Sequence, residues 1–436
     1  MPALTDLRLR VPSPELLGLP WDKRLEEWSA DAATLVDLQV GPSRHEVRFV
    51  RADGVLWAVK QLPQRVGAKE YAVLRELESM DLPAVRPAGL ALQPDTGNAL
   101  LVTRYLTSSW QYRRLFMRLP PDRPRQRARL LDAMATLLVE LHRHGVYWGD
   151  CSLANTLFTR DGQRLQAWLV DAETSEVHPR LSDGQRQHDL EILVENVAGG
   201  AIDLAMMLGR PPEIVPRLIE EAAGVAQRYA ELWDYLHERP LFSFADRWEV
   251  EGRIRRLNEM GFAVDEISLE PAGDGDERLR LTVSVAGRKY HSTTLRELTG
   301  LDVGEGQAQI LLAHLRAYEA ELQARSTGPQ RTTGRGVSDV AERWLVERLR
   351  PGMLAAHAAV GGVGDPVQAY CDLLEVRWLL SEQAGRDVGD DAALAVLADR
   401  SPPADSAAMA GVAEVPTAQL PRPSPERLRE PSSGPE

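Results

Sequence analysis

The chain has 436 residues, 44% of them hydrophobic and 26% charged, enough for about two or three ordinary cores. Its formal net charge of −13 argues against non-specific binding to nucleic acid or anionic membranes, which draws on Lys and Arg. Two cysteines, Cys151 and Cys371, exclude a disulfide framework or a Cys-rich zinc site, and no run reaches the roughly 18 consecutive apolar residues of a membrane span.

The opening MPALTDLRLR lacks the apolar stretch of a signal peptide, so a cytoplasmic protein is expected, with residues 1–30 as an N-terminal extension. Strand patterns follow: LVDLQV and EVRFV flank the loop Gly41–His45, and the turn ADG leads into VLWAVKQL. Ala68 to Met80 has helical spacing, with Tyr71, Leu74, Leu77 and Met80 on one stripe. Ala99 to Leu106 reads as a buried strand, and Ala128 to Gly145 as a helix that Gly145 is suited to close. After Asn155, TLF and LQAWLVD form two short strands around the turn RDGQR, and helical patterns resume from Gln187 to about Tyr235. Further on come a helix from Asp246 to Gly261, a strand FAVDEISLEP, and a hairpin expected to turn at Ala286-Gly287. Helices are expected over Gly306–Ala324, Asp339–Leu349 and Pro366–Glu382, with Ser326–Gly336 as a linker. Beyond Arg400 the Pro-, Ser- and Ala-rich composition predicts a disordered tail, residues 401–436.

One short stretch carries chemistry. In GVYWGDCSLANTLF, Asp150 and Asn155 stand five apart in a polar run between a helix and a strand pair, and that pair ends in LVDAE with Asp171. Upstream, Lys60 ends a strand and Glu70 opens the next helix. Phosphoryl transfer needs such a set: hard oxygen ligands for Mg²⁺, a carboxylate to orient the attacking hydroxyl and take its proton, and a cation for the phosphates with an anion to hold it. Asn155 and Asp171 supply metal oxygens, Asp150 the base, and Lys60 with Glu70 the clamp. The bland alternative is a helix-to-strand connection with turn-forming side chains. The order of the five residues along the chain favours the chemical reading.

These residues resemble the protein-kinase-like superfamily. LHRHGVYWGDCSLANTLF looks like its catalytic loop in the form HGD-four residues-N, AVKQL like the phosphate-lysine strand, and Glu70 matches the glutamate of the following helix. LVDAE stands where the metal-binding DFG triplet stands, and VTRYL resembles the hinge. Within the superfamily the likeness is to the lipopolysaccharide (Kdo) kinase group and to an uncharacterised family of bacterial kinase-like proteins sharing the WGDCSL-x-N and LVDAET-x-E runs. The resemblance covers about Asp31 to Tyr235. It implies an α+β, bilobal kinase-like domain over residues 31–240 (lobes 31–106 and 107–240). An accessory, mostly helical mixed α/β region would follow over residues 241–400.

The resemblance further implies ATP and Mg²⁺ as cofactors, with Asp150, Lys60 and Glu70 catalytic, Asn155 and Asp171 on the metal, and Lys60, Gly41, Ser43, Arg44, Thr103 and Tyr105 on the nucleotide. Thr103 would be the gatekeeper. Asp189 would brace the catalytic loop from a helix, with His142 packed internally. The expected acceptor is a small molecule or glycan-like hydroxyl compound, and the C-terminal region is the expected surface for a protein partner. The sequence also departs from the family: Trp148 and Gly149 replace His and Arg, Ser152 stands in place of a phosphate-contacting Lys, Ala172-Glu173 replace Phe-Gly, and GPSRHE has one glycine instead of three. The short interval from Lys60 to Glu70 predicts a trimmed helix. Loss of the usual Arg and Lys disfavours a protein kinase, and the reduced glycine loop leaves a pseudokinase scaffold as the alternative.

Overall fold

The computed structural model describes residues 6–31, 33–38, 44–112, 115, 124–243, 247–271, 278–325, 337–403 and 406–408. Six strands form the first sheet: β1 (Asp6–Leu9), β2 (Leu35–Val36), β3 (Val47–Ala52), β4 (Val55–Pro63), β5 (Pro87–Gln93) and β6 (Asn98–Arg104), in the order β1-β5-β6-β4-β3-β2. Side chains alternate across a strand, and the two faces of β4 serve two cores. Trp57 and Val59 join Leu16, Trp21, Leu25 and Trp28, whereas Leu62 joins Leu74 and Leu77 of the helix Gln64–Ser79. Lys60, two residues before Leu62, therefore faces the helix.

Two expectations change here. Part of the N-terminal extension is built into this sheet: β1 pairs with β5 from Asp6↔Leu92 to Leu9↔Gly89, and the segment after it covers the outer face with buried Leu16, Trp21 and Trp28. The helix after Lys60 is not trimmed. It runs 16 residues, starting directly after β4, so the strand–helix loop is what is missing.

The second lobe is built on the helices Pro124–Arg143, Asp183–Met207 and Val215–His237. Gly145 follows the first of these at φ +77°, and a Cβ there would lie 1.9 Å from the His178 carbonyl oxygen, so only glycine fits. β7 (Ser109–Gln111), β9 (Thr156–Asp161) and β10 (Arg164–Leu169) form a small sheet, and β8 (Val146–Tyr147) pairs with β11 (Glu176–Val177). Trp148 is fully buried in the lobe's core, filling the space with an aromatic ring as its position predicts.

The C-terminal region opens with the helix Arg247–Glu259 and a sheet in the order β12 (Leu241–Phe242), β14 (Leu279–Arg288), β13 (Phe262–Pro271). Ala286-Gly287 is not a turn. Both residues lie inside β14, whose register runs from Pro271↔Leu279 to Phe262↔Arg288, so the reversal falls between residues 271 and 279. Helices Tyr290–Thr299, Glu305–Arg325, Val337–Trp344, Arg350–Ala359, Pro366–Ala384 and Gly389–Ala398 surround a third core centred on Leu311, Trp344, Leu373 and Val376, with a π-helical turn at Leu345–Leu349. Of the expected tail, Ser406, Ala407 and Ala408 are buried and donate to the Glu375 carboxylate at 2.6–3.2 Å. Most of residues 401–436, and the 326–336 linker, lie outside the described residues.

Candidate active site

The cleft between the lobes collects charge on one lysine. Lys60 Nζ lies 2.8 Å from Asp171 Oδ2 and 3.1 Å from Glu70 Oε2, with Glu173 Oε2 at 4.0 Å. Glu70 is 1% exposed and also accepts from the Ala172 amide at 3.4 Å, so the helix is pinned both to the strand and to the segment after β10. Glu76, the competing acid on that helix, is exposed. Burial pushes the Glu70 carboxyl up to about 7, more than Lys60 pulls it down. Burial also works against the Lys60 charge, but Glu70 and Asp171 outweigh it and hold its pKa above the ordinary lysine value.

Three carboxylates, Glu70, Asp171 and Glu173, each offer an oxygen within 4.8 Å of the others. Glu173 also receives His45 Nε2 at 3.0 Å, which ties the loop before β3 to the segment after Asp171. Arg44 is exposed beside it; Gly41 and Ser43 lie outside the described residues. Thr103 lies opposite Ala58 in the β4–β6 ladder, and the Tyr105 ring packs edge-on against Phe49 at 5.5 Å.

On the other side, Asn155 Nδ2 donates to Asp150 Oδ2 at 3.0 Å, which leaves the carboxamide oxygen as its cation-competent atom. The intervening residues form a tight turn, with the Ser152 amide on the Asp150 carbonyl and the Asn155 amide on Ser152. Asp189, fully buried, accepts from the Trp148 amide at 2.7 Å, the Gly149 amide at 2.8 Å and His142 Nε2 at 3.1 Å. Burial lowers the His142 pKa despite this carboxylate, so the ring is neutral: Nε2–H donates to Asp189 and Nδ1 accepts from Tyr229 Oη at 2.8 Å. Asp150 is thus positioned from behind by a satisfied buried network. Cys151 is fully buried, and burial raises its thiol well above the ordinary value, so it packs and does not react.

Asn155 and Asp171 are the two ends of one hairpin. The Val170 amide donates to the Asn155 carbonyl at 3.1 Å, closing the base of β9–β10. Sequence reasoning missed what holds its tip. Arg160 pairs with Asp372, Gln368 exchanges bonds with both backbone groups of Gly162 at 2.9 Å, and Asp161 accepts the Gly306 and Gln307 amides at 2.8 and 2.9 Å. A Cβ on Gly306 would meet the Asp161 carbonyl at 2.2 Å, so the approach needs glycine. The partners lie more than 140 residues away along the chain, which no local pattern reports.

The fold and this cleft define a kinase-like protein. Residues 54–206, which include Lys60, Glu70, Asp150, Asn155 and Asp171, match the family model of the lipopolysaccharide kinase (Kdo/WaaP) family. Residues 231–400 match the model of a domain of unknown function, DUF4032. A solved structure described as WaaP in complex with acyl carrier protein is similar at 19% identity and a TM-score of 0.32, over 52% of this chain and 99% of that one. No curated protein sequence matches. One stretch of the chain is thus similar to the lipopolysaccharide kinase family and another to DUF4032. Among the described residues no helix is long and apolar enough to cross a membrane.

Proposed function

We propose that the kinase-like half is an ATP- and Mg²⁺-dependent phosphotransferase acting on a hydroxyl of a small-molecule or glycan-like acceptor. The observation that carries this reading is Lys60 held by Glu70 and Asp171, with Asp171 next to Val170, whose amide bonds the carbonyl of Asn155, itself bonded to Asp150. The donor set fits the cofactors: clustered carboxylate oxygens suit a hard cation, and a clamped lysine suits phosphate. Bound Mg²⁺-ATP would supply the transferable phosphoryl group and its charge neutralisation.

In this reading Asn155 and Asp171 hold the cation. Asp150 orients the acceptor hydroxyl and takes its proton, while Asn155 fixes the carboxylate's rotation. Lys60 binds phosphate oxygens, and Glu70 keeps it aimed. Arg44, Thr103 and Tyr105 are assigned to the nucleotide side. Gly149 and Ser152, in place of Arg and Lys, support a small acceptor over a protein one.

A nucleotide-binding scaffold is the second reading, favoured by the Lys60–Asp171 ion pair, which engages a metal-binding carboxylate with the protein's own cation. Incubation with γ-labelled ATP and a small-molecule cell extract separates the two. Labelled product from the wild type, lost in Asp150→Asn while ATP binding persists, is the expected result. An Asp150→Asn protein with full activity contradicts the assignment.

A further inference from the structure

A cavity of about 1100 Å³ lies where the kinase-like half meets the C-terminal region, and its lining includes none of the cleft residues Lys60, Glu70, Asp150, Asn155 or Asp171. Ligand sites favour domain junctions and volumes of roughly 300–1,000 Å³. The walls are the Met80–Pro83 turn, Thr107 and Ser108 after β6, the β9–β10 hairpin, and the helices from Tyr290 onward.

The charges lining it are unevenly committed. Asp161, Glu305 and Asp365 accept backbone amides at the starts of helices, Asp372 is paired with Arg160, and Asp81 with Arg86. Asp302 is exposed at the rim. Among the described residues, by contrast, Arg288, Arg296 and Arg400 have no carboxylate within 4 Å, and Lys289 reaches only Asp81, at 4.0 Å. Arg288 is engaged by the Glu140 charge, the Met260 carbonyl and Gln166, so the available charge is that of Lys289, Arg296 and Arg400, in a chain of net charge −13.

Two buried polar atoms on the wall make no hydrogen bond, although Glu140 Oε1 lies 3.8 Å from an Arg143 guanidinium nitrogen. Trp110 is 6% exposed with its Nε1–H unbonded, and Glu140 is 7% exposed with Oε1 unbonded. An indole N–H donates, and a buried carboxyl accepts from or donates to hydroxyls. Strain gathers here too: Asp81, Ser108 and Arg400, at φ +53° to +57°, are three of the four non-glycine residues with positive φ among those described, and all three line the cavity. Such backbone is costly and collects at functional sites.

We propose that this cavity is a second small-molecule site, for a phosphorylated polyol of the sugar-phosphate class. Arg296 and Arg400, with Lys289, take the phosphate, while Trp110, Glu140 and the Ser108 hydroxyl meet the ligand's hydroxyls. The site is independent of the cleft chemistry proposed above.

Calorimetric titration of the full chain with glucose 6-phosphate and ribose 5-phosphate tests it, with glucose and inorganic phosphate as component controls. At least one sugar phosphate should bind saturably and more tightly than phosphate alone. That binding should persist in Asp171→Asn and weaken at least tenfold in Arg296→Glu/Arg400→Glu, two exposed positions whose reversal leaves the cores untouched. Absence of binding by both sugar phosphates overturns the proposal, as does binding that survives the charge reversals. Loss in Asp171→Asn would locate the ligand in the cleft, and equal binding of phosphate alone would make the cavity an anion site without polyol recognition; either result also overturns it.

Discussion

The guanidinium of Arg160, at the tip of the β9–β10 hairpin, meets the Asp372 carboxylate through two 2.5 Å contacts, with both side chains more than nine-tenths buried. This pair joins the kinase-like fold to the C-terminal region on the one element whose ends carry Asn155 and Asp171. Burial alone would disfavour the Arg160 charge, but Asp372 more than restores it and raises its pKa. Removing one partner of a buried pair strands the other, at about 3–5 kcal/mol, whereas replacing both with apolar groups is often neutral. Arg160→Met or Asp372→Leu alone should therefore lower the chemical-denaturation midpoint much more than the double variant does. Equal losses in single and double variants would count against an isolated buried pair.

Glu70 gives a pH dependence of known sign. The folded carboxyl keeps its proton to about 7, while in the unfolded chain it is released near the ordinary 4.5. Between these values the folded state binds more protons, so this group's contribution to stability falls as pH rises from about 4.5 to 7 and is flat above. Stability curves of wild type and Glu70→Gln should diverge over that window. Parallel curves would show that Glu70 does not titrate there.

Asp189 tests the positioning of Asp150. Asn cannot accept on both sides, so Asp189→Asn turns an acceptor into an N–H₂ facing the Trp148 or Gly149 amide. A buried mismatch of this kind costs about 1–3 kcal/mol. Turnover should fall by at least tenfold, with the ATP dissociation constant changed less than threefold. A parallel loss of both would point to general unfolding of the lobe.

The cleft was legible because its residues sit in short local runs. A lysine two positions before Leu62 on a strand must share that residue's face, and the WGDCSLAN turn bonds within itself. The fully buried Trp148 likewise follows from its position between a helix end and the loop. What could not be read was non-local. Leu16, Trp21 and Trp28 are apolar residues in a polar-looking extension, and nothing nearby announces that a sheet face needs covering. Asp161 in RDGQR has the composition of an ordinary hairpin turn, and its role as a cap for the helix starting at Glu305 depends on residues 145 and 146 positions downstream. Ala286-Gly287 misled for the opposite reason: a good local turn pair was overridden by the β13 register.

Asp171 is proposed to hold a cation with a nucleotide in the cleft. A thermal-shift titration with ATP, with and without Mg²⁺, on wild type and Asp171→Asn tests it most directly. Ligand at about 100 times its dissociation constant stabilises the native state by about 2.7 kcal/mol, a shift of several degrees for a domain of this size. A Mg²⁺-dependent shift is expected in the wild type, and it should disappear in Asp171→Asn. No shift with nucleotide, or a shift that ignores Mg²⁺ and survives Asp171→Asn, would contradict it.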